Sequence, residues 1–182
     1  MKRTLIILSL GIAGLWLTSP AIGADSGTYF HFDAGPNVLQ KIHQVFDAGL
    51  ERDLDFNTGV RISIAQGYNL TPWAAVELET GFSYNEMKHS DDWLGQVPIL
   101  ASAVFKYDSS CGWTPFVGVG GGGAVTLAKT ALFHNDSDYY LVAAWQGQAG
   151  LRYRVNQDLE IGLVYKYFGT TAPELEVFGE TF

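Results

Sequence analysis

The chain has a single cysteine, Cys111, in 182 residues, so no internal disulfide braces the fold. Beyond residue 23 there is no long unbroken apolar run, which leaves no second candidate for a membrane helix. Charge is sparse, at 16% Asp, Glu, Lys and Arg, and cations are the minority: 11 Lys and Arg against 19 Asp and Glu, a formal net charge of −8. The basic residues are scattered, and without a basic patch the chain offers no electrostatic footprint for nucleic acid. Its four histidines, His31, His43, His89 and His134, show no metal-ligand spacing, and no two stand at a helical i, i+4 interval. The glycines at 118 and 120–123 lack the Lys-Ser/Thr ending and the helix that a phosphate loop needs. Within a strand, such glycines mark close packing, a bend or a barrel corner.

The N-terminus is the one long apolar segment. Lys2 and Arg3 precede an almost wholly apolar run from Thr4 to Leu17, and Ala21-Ile22-Gly23 supplies small residues before Ala24. That order is the pattern of a secretory signal peptide, and the apolar run is short for an anchor helix, which is the alternative. No lipid-accepting cysteine follows it. Residues 1–23 are therefore read as a signal peptide outside the fold, and 24–182 as one domain.

What fills that domain is period-two alternation. On one strand Leu141, Ala143, Trp145, Gly147, Ala149, Leu151 and Tyr153 alternate with Val142, Ala144, Gln146, Gln148, Gly150, Arg152 and Arg154. On the next, Leu159, Ile161, Leu163, Tyr165 and Tyr167 alternate with Glu160, Gly162, Val164, Lys166 and Phe168. Side chains of a strand alternate between faces, so each strand has an oily side and a polar side. Strands of globular proteins run about 5–6 residues. These are about twice that, close to the 9–11 residues that a tilted strand needs to cross a bilayer. Only helices and closed barrels satisfy every backbone group in lipid, so a membrane-spanning chain without helices must be a barrel.

Similar segments recur at Gly27 to Pro36, Phe56 to about Tyr68, Trp73 to about Tyr84, Leu94 to Tyr107 and Pro115 to about Leu127. Asn69-Leu70-Thr71-Pro72 and Asn156-Gln157-Asp158 read as tight turns. The connections at 37–55, 85–93 and 128–137 are longer or more polar. In the first of these, Val38, Leu39, Ile42, Val45 and Phe46 recur at helical spacing, which predicts a short amphipathic helix over the barrel mouth. Short turns alternating with long loops are the pattern of outer-membrane barrels, with short turns periplasmic and long loops outside. Tyr84, Trp93, Tyr107, Trp113, Tyr139, Tyr140, Tyr153, Tyr165 and Tyr167 fall mostly near strand ends, where aromatic girdles anchor a barrel at the headgroups.

The polar face carries the candidate functional residues Arg61, Glu77, Glu79, Lys106, Arg152, Arg154, Glu160 and Lys166. With the turns placed as above, Arg61 falls opposite Glu79, Arg154 opposite Glu160, and Gln148 opposite Lys166. Such charges, paired inside a narrow barrel, neutralise one another and fill the lumen. A barrel of about eight strands has room only for side chains. The expectation is a polar plug, with a gated pore as the alternative.

The stretches GVRISIAQGYNLTPWAAVELETGFSYN, TPFVGVGGGGAV and QAGLRYRVNQDLEIGLVYKYFG resemble the small outer-membrane β-barrel family, akin to the OmpA transmembrane domain and opacity proteins, from about Gly27 to Gly169. The resemblance implies an antiparallel up-and-down barrel of eight strands, inserted by the barrel-assembly machinery. Seven strands are evident. Leu175 to Phe182 is either a short, irregular eighth strand, with Glu180 interrupting the alternation of Phe178 and Phe182, or the sequence stops before it; the expectation is the latter, since a spanning strand needs about 9 residues.

The expected protein is thus an all-β transmembrane barrel of the bacterial outer membrane, without catalysis, metal or cofactor. Its role is membrane integrity, surface contact through the three long loops, or a small passive pore. Its expected partners are outer-membrane lipid and the assembly machinery, and its expected state is a monomer. One alternative is a soluble periplasmic lipocalin-like barrel, which needs the opposite polarity, apolar within and charged without. Another is a lipid-modifying barrel enzyme built on Ser90 beside His89 or Ser137 near His134.

Overall fold

The computed structural model describes residues 7–12, 17–19, 27–39, 42–45, 51–54, 56–88, 92–107, 109, 111–129, 138–156 and 159–171. In chain order the strands are β1 (Ile7–Ile12), β2 (Leu17–Ser19), β3 (Thr28–Leu39), β4 (Ile42–Val45), β5 (Glu51–Leu54), β6 (Gly59–Thr71), β7 (Ala74–Glu86), β8 (Trp93–Lys106), β9 (Trp113–Lys129), β10 (Asp138–Arg154) and β11 (Glu160–Thr170). Seven of these are long, from 11 residues in β11 to 17 in β9 and β10. They pair antiparallel in simple up-and-down order, β3-β6-β7-β8-β9-β10-β11. The alternation explains why. Each strand has one apolar and one polar side, and only a curled sheet gives every strand the same side inward.

Seven up-and-down strands leave the first and the last running in the same direction. A strand closing the ring against both by antiparallel pairing must lie between them. In the structure the N-terminal segment lies there. Ile7–Ile12 pairs antiparallel with Tyr165–Thr170 of β11, and its Ser9, Leu10 and Gly11 pair also with Leu39, Val38 and Asn37 of β3. Leu17–Ser19 continues along the same edge of β3, opposite Phe32, His31 and Phe30. Part of residues 1–23, the segment read as a signal peptide, thus pairs with two sheet edges in the uncleaved chain. The physical reason is that each edge carries a row of backbone donors and acceptors that any extended segment can satisfy. The expected alternative for the eighth strand, Leu175 to Phe182, lies outside the described residues.

Two local expectations are corrected. The turn expected at 69–72 falls later: β6 continues to Thr71, with irregular register between Asn69 and Thr71, and the chain turns on Pro72 and Trp73. Proline pre-sets φ for the second position of a turn, so Pro72 begins the reversal instead of ending it. The register moves with it, and Arg61 stands opposite Ser83, with Ala65 opposite Glu79. The helix expected over the mouth is also absent at Ile42–Val45. That segment pairs antiparallel with Glu51–Leu54, from Ile42 opposite Leu54 to Val45 opposite Glu51. β-branched Ile42 and Val45 favour the extended chain once a partner strand is present, and Val38 and Leu39 belong to β3.

The turn between β8 and β9 is closed by backbone bonds from Tyr107 N to Pro115 O and from Gly112 N to Ser109 O. Gly112 sits at φ 82°, in the left-handed region that favours glycine. The turn between β10 and β11 is closed by Val155 N and Asn156 N, both donating to Leu159 O.

Candidate functional site

The interior is polar and the exterior is oily. Phe30, Phe32, Ile62, Ile64, Leu78, Ile99, Val119, Leu141 and Leu163 face outward, with Leu141 81% and Val119 66% exposed. Their sequence neighbours face inward and are buried: His31, Asp33, Arg61, Ser63, Glu77, Glu79, Gln146, Gln148, Arg152 and Lys166. Among the described residues the buried acids are Asp33, Glu77 and Glu79 and the buried strong bases Arg61, Arg152 and Lys166, so the two signs balance.

These groups meet in two linked clusters. In the first, Glu77 accepts hydrogen bonds from the Tyr29 hydroxyl at 2.6 Å, Arg152 Nη2 at 3.2 Å and Gln148 Nε2 at 3.2 Å. In the second, Glu79 accepts from Lys166 Nζ at 2.7 Å, Gln146 Nε2 at 2.9 Å and Arg61 Nη2 at 3.2 Å. Lys166 also donates to Asp33 Oδ2 at 2.8 Å and to Ser63 Oγ at 3.1 Å. Arg61 donates to Gln146 Oε1 at 2.7 Å. Gln146, Gln148 and Arg152 on β10 and Lys166 on β11 reach Glu77 and Glu79 on β7, so these bonds cross the lumen, whereas Arg61 reaches Glu79 from the adjacent β6. A buried charge needs this density of partners, because an unpaired ion taken out of water costs several kcal/mol, on the order of 5.

Apolar side chains are interleaved with the charged zone in two buried clusters. Toward the short turns, Val104, Phe116 and Val164 pack together, and the Arg152 guanidinium lies 4.2 Å from the Phe116 ring centroid. Toward the long loops, Leu100, Ala124, Val142, Ala144 and Phe168 form a second buried cluster, with Arg61 lying 5.0 Å over Phe168. Beyond it, the Asn85 side chain accepts from Asn37 Nδ2 at 2.6 Å and donates to the carbonyls of Asn37 and Asn57, both at 3.0 Å. Large rings are accommodated by glycine. The Tyr29 ring lies against Gly67, where a Cβ would overlap it, and Phe116 lies 2.5 Å from where a Gly150 Cβ would stand.

Of the residues singled out in the sequence, Arg61, Glu77, Glu79, Arg152 and Lys166 converge in the buried zone. Lys106 sits at its edge, half-buried, with Nζ 2.7 Å from Asn69 Oδ1 and 5.8 Å from the Tyr29 ring centroid. Arg154 and Glu160 do stand opposite each other in register, 3.3 Å apart, but at the exposed rim and outside the buried zone. They are two residues nearer the turn than Arg152, where the ladder ends and water enters. Gln148 stands opposite Lys166. Despite the shifted register Arg61 still reaches Glu79, four residues along β7 from its partner Ser83 on the same face, because its long side chain extends along the lumen. Tyr29, His31, Asp33 and Gln146 were not among the lumen candidates, although Tyr29, His31 and Asp33 alternate with Phe30 and Phe32 and so share the polar face. Ser90, His89, Ser137 and His134, the candidate enzymatic residues, lie outside the described residues.

Aromatic pairs mark both ends. Trp113 and Tyr153 are 4.8 Å apart and Trp73 and Phe105 6.2 Å apart at the short-turn end, and Tyr84 and Trp93 5.7 Å apart at the loop end. Tyr167 is not at a rim; it packs on Trp145 at 5.4 Å.

No family model matches the sequence, and none of the curated proteins does. Among solved structures the chain is similar to Neisserial surface protein A (NspA), with a TM-score of 0.44 and 10% identity over 93% of this chain and 99% of the other. It is also similar to Ail, the attachment invasion locus protein of Yersinia pestis, solved in complex with the heparin analogue sucrose octasulfate, with a TM-score of 0.36 and 12% identity over 94% and 100% of the two chains.

Proposed function

We propose that this chain is a non-catalytic β-barrel protein of the bacterial outer membrane, with a filled lumen and a structural or surface-contact role. The inverted polarity carries the reading. An apolar exterior in water would form one continuous patch far beyond the few hundred Å² that a soluble monomer exposes. Each fully exposed Leu, Ile or Phe would forgo roughly 1.5–3 kcal/mol of burial. In lipid the same surface costs nothing, and the charged groups are screened from hydrocarbon by the barrel wall. A lipocalin-like barrel requires the reverse arrangement.

The filled interior favours a plug over a passive pore. Buried ion pairs and apolar clusters together fill the interior, and an aqueous path has to break both. The role is therefore assigned to the wall and the loops: integrity of the membrane, and contacts outside the cell through 37–55, 85–93 and 128–137. By this reading the partners are outer-membrane lipid and the barrel-assembly machinery, the protein is a monomer, and the short turns face the periplasm.

Fractionation tests the proposal. Resistance to carbonate extraction from the outer membrane, together with a gel mobility that changes on heating, is expected. Recovery as a soluble periplasmic protein would overturn it.

A further inference from the structure

We propose that His31 is a proton-operated switch on the closed lumen: once protonated, its ring competes with Lys166 and Arg152 for the carboxylates of Asp33 and Glu77. The inference rests on the filled-lumen reading above.

The ring is 1% exposed and lies between two acids, with Nε2 3.8 Å from Asp33 Oδ2 and Nδ1 3.7 Å from Glu77 Oε1. Both oxygens already hold two shorter donors. Asp33 Oδ2 accepts from Ser63 Oγ and Lys166 Nζ, each at 2.8 Å. Glu77 Oε1 accepts from Tyr29 at 2.6 Å and Arg152 at 3.2 Å. The charged groups facing His31 are Asp33 from its own strand, Glu77 from β7, Arg152 from β10 and Lys166 from β11; β6 presents neutral Ala65 opposite it. Tyr29, also on β3, stacks beside it at 6.4 Å.

A neutral imidazole has one N–H donor and an imidazolium has two. With the ring neutral, the buried acids and bases balance. A proton adds a cation at the point where two carboxylates are within one small shift of it. Each carboxylate oxygen has room for about two donors, so a third displaces one already there. The imidazolium repels the like-charged Lys166 on Asp33 and Arg152 on Glu77 and not the neutral hydroxyls of Ser63 and Tyr29, so the bonds that give way are those tying β11 to β3 across the seam and β10 to β7 across the lumen. The plug is held at neutral pH and loosens as pH falls.

The test uses the refolded full chain in planar bilayers at about pH 7.5 and about pH 3.5, a span wide enough to protonate a buried imidazole. The wild type is compared with His31→Asn and with His43→Asn, which lies in the first loop. Opening events in the wild type and in His43→Asn are expected to become about tenfold more frequent at the lower pH, with the ratio near one in His31→Asn. A wild-type ratio of one, or a His31→Asn variant that keeps the wild-type ratio, overturns the switch. If His31→Asn does not fold, side-chain NMR of the wild type in micelles replaces it: the Lys166 ammonium signal is expected to move with the same midpoint as the His31 ring, and independent movement overturns the proposal. A steady conductance at neutral pH fails the filled-lumen reading instead; the ratio between the two pH values still decides the switch.

Discussion

Lys166 Nζ lies 2.8 Å from Asp33 Oδ2, joining two residues 133 positions apart in the chain. One stands on the last long strand and the other on the first, so this bond spans the seam where the ring must close. The same ammonium bonds Glu79 at 2.7 Å. Replacing Lys166 with Met keeps the length of the side chain and leaves two buried carboxylates short of a cation. The expected loss is about 3–5 kcal/mol, the usual result of removing one partner from a buried pair. It is read as a lower urea midpoint for the heat-modifiable folded form. The double variant Asp33→Asn with Lys166→Met is expected to lose less than the sum of the two single changes, because both remove the same bond. Additive losses would show that the two groups do not act together.

Glu79 is the acid on which the second cluster converges, so Glu79→Ala leaves Arg61 and Lys166 facing one another with one carboxylate fewer between them. A rise in single-channel conductance is expected, along with a stability loss of about 3–5 kcal/mol. If planar-bilayer conductance and unfolding midpoint both stay at wild-type values, the ion pairs do not hold the plug.

Two glycines make a contrasting pair. Gly67 faces inward under the Tyr29 ring, and a Cβ there overlaps the ring; around Gly147, on the outer surface, nothing lies within 4 Å of a Cβ position. Gly67→Val is expected to cost about 1–3 kcal/mol by forcing Tyr29 away from Glu77. Gly147→Ala is expected to be neutral within about 0.5 kcal/mol. Equal effects in a refolding titration would mean that the lumen is loosely filled.

Much of this was legible in the sequence because a barrel strand writes its environment with period two. Leu141 to Tyr153 and Leu159 to Tyr167 assign lipid and lumen faces residue by residue, and that assignment needs no knowledge of distant partners. Register is harder. One turn centred two residues early shifted Arg61 from Ser83 to Glu79, since the position of a turn rests on a single proline. Cross-lumen partners were harder still: Asp33 meets Lys166 and Arg61 meets Gln146 only because the sheet curls, and nothing local in either strand specifies the curl. The helical spacing around Ile42 misled for a related reason. A short i, i+3 pattern also fits a hairpin, and the partner segment Glu51–Leu54 decides between them.

Cys111 is a built-in reporter of orientation. It is exposed in the turn between β8 and β9, with Sγ 2.9 Å from Ser109 Oγ. That hydrogen bond, more than any other interaction, holds its thiol below the ordinary cysteine range. A lowered value means that thiolate is present at lower pH than in a free cysteine, so labelling is expected to begin at lower pH than with glutathione. With short turns periplasmic, a membrane-impermeant maleimide is expected to label Cys111 only after the outer membrane is permeabilised. Labelling of intact cells would reverse the proposed orientation.

The closing position yields the last prediction. Ser9, Leu10 and Gly11 pair with β11 on one side and β3 on the other, so the gap between those edges is one strand wide. Cleavage after Gly23, as the leader pattern implies, removes these residues from the mature protein and exposes both edges. Unpaired backbone in lipid costs several kcal/mol per group, about 2–7, so another strand must take the place. It must run antiparallel to both β3 and β11. Although the sequence alone favours a chain that stops before the eighth strand, Thr171 stands at the loop end of β11, so residues 172–182 need only one reversal to run in that direction. Mass spectrometry of the protein extracted from membranes is expected to find Ala24 at the N-terminus. Deletion of residues 172–182 is expected to abolish the heat-modifiable form. A mature chain beginning at Ala24 that stays folded without 172–182 would mean that this segment does not close the ring.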